Sequence, residues 1–280
     1  MRPGGLSAAD AERLRAFERQ GHDRVAETYH SFFSPVTALA IEPILDAVMA
    51  RPAVRLLDVA CGPGALAGKA AERGAQAIGV DLSTRMLELA RQLHPGIDFR
   101  EEDIEHLPFA DGSFDAVTCS FALGHLPYPE RALAECVRVL RAGGRIAMAW
   151  WDHPDRQRIQ GVFREAIAEL AVKPPPDVPP GHAMLRFCET KEFLALLRGA
   201  ALADVALEEH ATTYTIPDAD TFWRGGLGSF VLTAAAIRAQ DAPMQAAIRA
   251  AVERRIEPYR RESGFAMPIA FKIGQGRKAT

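Results

Sequence analysis

The order of apolar and polar positions divides this chain into stretches of different rhythm. Behind a capping-box start at Ser7 and Asp10, Leu14, Phe17, Val25, Tyr29, Phe32 and Phe33 recur at near-helical spacing, which predicts an N-terminal helical segment broken around Gly21. From residue 54 to 151 short apolar runs alternate with amphipathic ones. Strands are expected at 54–59, in a run ending at Val80, around Phe99, at 114–119 and at 145–150. Between them lie a helix through Leu66 and Ala70, one capped by Ser83 that carries Met86, Leu87, Ala90 and Leu93, and one opened by Pro129 and stopped at Gly143 and Gly144. Such alternation predicts a parallel sheet covered by helices on both faces.

Beyond Trp151 the rhythm changes. Ile159, Val162, Phe163, Ala166 and Leu170 mark an amphipathic helix, followed by a proline-rich, extended link at 173–180. A helix at 190–198 and a strand at 205–215 resume the α/β pattern. A second helical insert (218–263) and a final strand (267–273) complete it. The expected division is a helical lid at 1–40, an α/β core at 41–151, a cap insert at 152–186, core again at 187–216, a second cap insert at 217–263, and the last strand and tail at 264–280.

Composition narrows the function. With 280 residues, 48% hydrophobic and 25% charged, the chain can bury a large core. A formal charge of -3 supplies no field to recruit nucleic acid or an anionic membrane, so a small-molecule partner is expected. Cys61, Cys119, Cys136 and Cys188 lie far apart without metal-ligand spacing, which reads as reduced thiols and no metal. No apolar run approaches the roughly 20 residues of a membrane span, and Met1 to Gly5 lead straight into charged helical sequence, so a cytoplasmic location is expected. Nothing in the sequence bears on oligomeric state.

The most informative segment is Leu56-Leu57-Asp58-Val59-Ala60-Cys61-Gly62-Pro63-Gly64, a strand running into a glycine turn that opens a helix, where backbone can approach a ligand closely. Gly62 and Gly64, with Asp81 after the next strand, also satisfy a dinucleotide fingerprint, so an NAD-dependent oxidoreductase stays open at this level. Charge separates the two ligands. Asp58 precedes the turn, Pro63 removes an amide donor, and no basic residue follows until Lys69, a setting that suits a cation better than a pyrophosphate. Asp81 can accept both hydroxyls of a ribose, and Asp103, past the third strand, an adenine amino group.

With these residues in place the chain resembles the class I S-adenosylmethionine-dependent methyltransferases, in particular their small-molecule, ubiquinone-biosynthesis-like branch. The likeness rests on the glycine segment, on Gly79-Val80-Asp81-Leu82-Ser83, on Asp103-Ile104-Glu105-His106-Leu107-Pro108-Phe109, on Ser113-Phe114-Asp115-Ala116-Val117 and on Leu140-Arg141-Ala142-Gly143-Gly144. It implies a Rossmann-like, doubly wound seven-stranded sheet with an antiparallel last strand, S-adenosylmethionine as cofactor and S-adenosylhomocysteine as product. It further implies that Asp58, Ala60, Cys61, Gly62, Gly64, Leu82 and Met86 approach the cofactor, that Asp81 holds its ribose, and that Asp103 and Ile104 border adenine. Ser120 would stand near its amino-acid part, and Tyr29 would reach it from the N-terminal helix. Ala142 stands where proline is usual, and Ala200-Ala201-Leu202 replaces a common Ala-Gly-Phe; neither touches the cofactor motifs.

Methyl transfer requires alignment of the acceptor with the methyl group, exclusion of water and, for some acceptors, removal of a proton. The aromatic residues Phe32, Phe33, Phe222, Trp223 and Phe230 of the expected lid favour a largely apolar acceptor. His125, after the fourth strand at the carboxyl edge of the sheet, is the first candidate for general base or acceptor contact. Trp151 and His153 are further acceptor-side candidates. A nucleic-acid amino-methyltransferase is disfavoured, because Ser120-Phe121-Ala122-Leu123 stands where its polar-Pro-Pro-aromatic element belongs. Metal-dependent transfer to a catechol lacks a visible carboxylate cluster. Use of the bound cofactor for cyclisation, or as a binding module, stays open.

Overall fold

Strands form where apolar residues gather, most densely at the centre of the sheet, because a parallel sheet covered on both faces needs apolar side chains on both sides of its central strands. In the computed structural model, which describes residues 6–181 and 183–280, these are β1 (Arg55–Val59), β2 (Gln76–Asp81), β3 (Asp98–Glu101), β4 (Phe114–Ser120) and β5 (Leu140–Trp151). Later come β6 (Leu202–Ile216), the two-residue β7 (Arg260–Arg261) and β8 (Gly264–Lys278). The main order is β3-β2-β1-β4-β5-β8-β6, with β1 to β5 mutually parallel and β8 antiparallel to both β5 and β6. β7 adds a short hairpin on β8. The order reverses between β1 and β4, and a crevice for ligands opens at such a switch point, beyond the carboxyl ends of the strands. The start of the chain at Met1 to Gly5 lies outside the described residues.

The helices are α1 (Ala8–Thr28), α2 (Ser34–Thr37), α3 (Ile41–Ala47), α4 (Ala65–Glu72), α5 (Thr84–Leu93) and α6 (Pro129–Val139). α7 (Arg158–Glu169), α8 (Thr190–Gly199), α9 (Ala219–Leu227), α10 (Val231–Arg238) and α11 (Ala242–Ile256) follow. Ser7 and Ser83 cap α1 and α5 through their side-chain oxygens. The two cap inserts share one apolar centre, where Phe163 of α7 lies 5.1 Å from Phe222 and stacks on Trp223 of α9 at 5.8 Å.

Three boundaries differ from the sequence reading. α1 runs unbroken through Gly21, because that glycine serves packing: a Cβ there would meet Val231 Cγ1 at 2.2 Å, so α10 can rest directly on the α1 backbone. β5 begins at Leu140 rather than 145, and the sheet register shifts between Phe114 and Ala116 to accommodate the Gly143–Gly144 turn. β6 and β8 are each 15 residues long, because they pair with each other from Leu202↔Lys278 to Ile216↔Phe265, beyond the edge of the remaining sheet. The proline-rich link at 173–180 carries a turn in which Val178 N–H donates to the Pro175 carbonyl.

Candidate active site

At the β1 exit Ala60 and Gly62 both have positive φ, 52° and 53°, and this tight turn points the Gly62 amide at Asp81 Oδ2 (2.8 Å). The Ser83 amide donates to Asp81 Oδ1 (2.8 Å), so two backbone donors fix the carboxylate at the end of β2 while each oxygen keeps accepting capacity. A Cβ on Gly62 would meet nothing within 4 Å, which leaves the turn open on its ligand side. Gly64 differs: at φ +82° its Cβ would strike Phe99 Cζ at 2.7 Å, so it serves strand–helix packing and lines neither cavity.

Asp58 is buried at the end of β1. The Thr118 hydroxyl donates to its Oδ1 (2.9 Å), whereas Oδ2 has no hydrogen-bond partner among the described residues. Burial pushes this carboxyl up to about 7, against the stabilising hydrogen bonds from Thr118 and the Ala67 backbone. Ser120 Oγ is likewise without a partner among the described residues. Asp58, Cys61, Ser120 and Tyr29 line one small cavity, and Tyr29, its phenol pushed up to about 12 by burial, also lines the large cavity that adjoins it.

The large cavity encloses about 1580 Å³ of non-atom space, its open mouth included. At one end stand Ala60, Gly62, Asp81, Leu82, Met86, Asp103, Ile104 and Ser120. No Lys or Arg among the described residues pairs with Asp58 or Asp81, and burial also raises Asp81 above the usual carboxylate range. This end suits a cationic, hydroxyl-bearing ligand. The orphaned Asp58 oxygen, the orphaned Ser120 hydroxyl and the open face of Gly62 fit S-adenosylmethionine, with its ammonium, sulfonium and ribose diol. Asp103 is already engaged: Arg15 of α1 lies 3.1 Å from its Oδ2, and Asp103 Oδ1 accepts from the Glu105 amide.

The other end is aromatic. Phe121, held at a positive φ of 57° after β4, stacks on Trp151 at 3.8 Å; Phe33 stands 5.5 Å from Trp151 and 5.0 Å from Phe230. His125 enters on the single 3-10 turn after β4, with Nδ1 3.0 Å from Glu18 Oε2 of α1 and its ring 6.0 Å from Trp150. Burial works against the charge on His125. The Glu18 carboxylate outweighs it and holds the imidazole above the ordinary histidine value. His22, one turn on from Glu18, stands 5.4 Å from His125 ring to ring, and its Nδ1 lies 2.9 Å from the Glu18 carbonyl. Donor atoms of Glu18, His22 and His125 all fall within 4.8 Å of one another, close enough to share a proton or a single cation.

α1 forms one wall of the mouth. Arg15 pairs with buried Glu105 (2.6 Å), Arg19 with Glu101 (2.6 Å), and Asp23 accepts from the Ser83 hydroxyl (2.7 Å) and the Arg85 amide (3.1 Å). Four expected acceptor-side residues lie elsewhere. His153 is half-exposed beside Glu189, at 3.4 Å, because the chain turns outward after Asp152. Trp223 and Phe222 are spent in the cap's own core on Phe163, and Phe32 packs over Gly225. Glu18, His22, Trp150 and Arg164, which do line the cavity, were not foreseen. For Glu18 and His22 the sequence offers only the i, i+3, i+4, i+7 stripe of Arg15, Glu18, Arg19 and His22, which also fits a solvated helix face; Trp150 and Arg164 carry no signal beyond their strand and helix.

Comparison with known proteins places this geometry in a family. Residues 57–148 match the family model described as a methyltransferase domain. A demethylmenaquinone methyltransferase of Renibacterium salmoninarum is 41% identical over 124 residues, 44% of this chain and 52% of the relative. A ubiquinone biosynthesis O-methyltransferase of Xanthomonas oryzae pv. oryzae is 35% identical over 175 residues, 58% of this chain and 70% of the relative. The chain spans about half the length of the first curated relatives it matches. The solved structure of a [4+2]-cyclase has the same fold at TM-score 0.57 and 21% identity, covering 94% of this chain and 96% of that one. The strand order, the acid-tipped strands around the glycine turn and these likenesses agree: the chain belongs to the class I S-adenosylmethionine-dependent methyltransferase family.

Proposed function

We propose that this protein transfers a methyl group from S-adenosylmethionine to a small, largely apolar acceptor held in the aromatic end of its cavity. One observation carries the reading: a single cavity joins the glycine turn, Asp81 and Ser120 to an aromatic chamber that contains a His125–Glu18 pair. S-adenosylmethionine supplies an electrophilic methyl on a sulfonium, so no protein nucleophile is required. Asp81 accepts hydrogen bonds from the ribose, Asp103 and Ile104 border the adenine, and Asp58, Ser120 and Tyr29 surround the amino-acid end.

His125 takes the proton of the acceptor as its nucleophilic atom forms the new bond, and Glu18 steadies the imidazolium that results. The Phe121–Trp151 stack and Phe33 hold the acceptor flat and exclude water, while α1 walls one side of the mouth. The quinone-related names of the relatives agree with a flat, apolar acceptor. Incubation with S-adenosylmethionine and a panel of phenolic and quinol acceptors should yield S-adenosylhomocysteine and a methylated product in equal amounts. Conversion of an acceptor with the cofactor left intact would favour the cyclase reading, which the fold shared with a [4+2]-cyclase keeps open. The closeness of Glu18, His22 and His125 favours a second role for them as a cation site. Turnover that survives exhaustive chelation supports the proton pair; loss restored by one divalent metal assigns the cluster to that metal.

A further inference from the structure

We propose that the acceptor carries a carboxylate on its flat apolar frame, and that Arg164 of α7, with Gln157, reads it. This rests on the methyl-transfer reading, because it concerns the acceptor end of the same cavity. Gln157, Gln160 and Arg164 fall at i, i+3 and i+7 of α7 and its cap, and all three line the cavity, so one face of this helix presents a polar stripe to an otherwise aromatic chamber.

Two donors on that stripe have no acceptor among the described residues. The Arg164 guanidinium makes no hydrogen bond or ion pair with any other described residue, although it is half-buried and always charged. Gln157 is 1% exposed; its Oε1 caps α7 by accepting from the Gln160 amide (3.0 Å), while its Nε2 has no partner among the described residues. The nearby acids are committed elsewhere. Asp152 is held by Lys272 (3.2 Å) and Arg156, and Glu165, next to Arg164 in the chain, binds Arg158 on another face. The ionisable neighbour that bears on Arg164 is the Cys188 thiol, which burial pushes up to about 11 and so keeps uncharged.

An unpaired, half-buried cation and an idle buried amide are costly unless a ligand supplies the acceptor. The ligand that meets both is an oxyanion. One guanidinium and one neutral amide match the single charge and two oxygens of a carboxylate better than a phosphate dianion. The cofactor's own carboxylate belongs at the β1 turn, with Asp58, Ser120 and Tyr29, whereas Arg164 stands past β5. The chamber therefore has a polarity: an anion at α7, a flat apolar body against Trp150 and Trp151, and the reacting atom towards His125.

The test is equilibrium binding to the protein saturated with S-adenosylhomocysteine, with 2-naphthoate, 2-naphthamide and 2-naphthyl phosphate as probes. Naphthoate should bind about ten-fold or more tightly than the amide and more tightly than the phosphate. In R164Q this preference should vanish while S-adenosylhomocysteine affinity stays within two-fold, and R164K should retain part of it. Equal binding of carboxylate and amide, a preference that survives R164Q, a preference for the phosphate, no naphthoate binding, or a parallel loss of S-adenosylhomocysteine affinity in R164Q would each overturn the proposal. S-adenosylhomocysteine that fails to bind the unmodified protein would instead sink the cofactor reading.

Discussion

The two ends of the cavity are built by different means. At the cofactor end the ligand-facing groups are main-chain turns and carboxylates at the tips of adjacent strands, so their positions follow from the sheet itself: the Gly62 and Ser83 amides hold Asp81, and Thr118 on the neighbouring strand holds Asp58. At the proposed acceptor end a strand residue, Trp151, paired with Phe271, is joined by side chains from helices and turns. Glu18 comes from α1, His125 from the turn after β4, Trp151 from the end of β5, Arg164 from α7 and Phe230 from the cap of α10. The first end is rigid by topology; the second is an agreement among five segments, any of which can change to admit another acceptor.

That contrast can be broken from either side, and the largest effect belongs to the acceptor end. H125A should lower turnover by about 10²- to 10⁴-fold, as expected for loss of a general base, while S-adenosylhomocysteine affinity moves less than about two-fold. Single-turnover kinetics beside calorimetry separates the two. Equal loss of both would make His125 a support of the loop after β4.

D81A attacks the other end. It removes the proposed ribose acceptor and frees the Gly62 and Ser83 amides, and should weaken cofactor binding by about 1.5–3 kcal/mol with the fold intact by circular dichroism. Undiminished affinity in the folded variant would displace Asp81 from the site.

What the sequence made legible follows the same division. That Asp58, Gly62 and Asp81 would stand together at the exits of neighbouring strands was readable because each lies a fixed few residues from a strand end, and those strands are marked by apolar runs. Gly64 was legible as a necessary glycine, although its reason is Phe99 rather than the ligand. Glu18 could not be read, because its partner His125 is more than a hundred residues away and only the docking of α1 brings them to 3.0 Å. Trp223 and His153 misled for the same reason: an aromatic or imidazole near the right strand carries no sign of which neighbour will claim it, and Phe163 and Glu189 did. α1 appeared broken at Gly21 because composition records the missing side chain but not the α10 backbone-side packing that needs it.

Acidity gives two finer tests. Asp58, pushed up to about 7 in the free protein, must ionise to face a cation, so binding releases a proton and affinity should rise about ten-fold from pH 6 to pH 8, then level off. The sign follows from the raised value: below it the free carboxyl is mostly neutral and the cation has no counter-charge. D58N should flatten this dependence. His125 must be neutral to accept a proton, and Glu18 holds its pKa up, so the acid limb of kcat/KM should lie above the ordinary histidine range and move to lower pH in E18Q. The same pairing stabilises the fold at low pH, and that increment is lost as pH rises through the His125 value. An acid limb that does not move in E18Q would detach Glu18 from the chemistry.

The cofactor end is the foundation of the rest, and parallel calorimetric titrations with S-adenosylmethionine, S-adenosylhomocysteine and NAD test it most directly. The expected result is micromolar binding of the first two and none of NAD, as an acid-rich turn without a basic partner requires. Binding of NAD alone would contradict it.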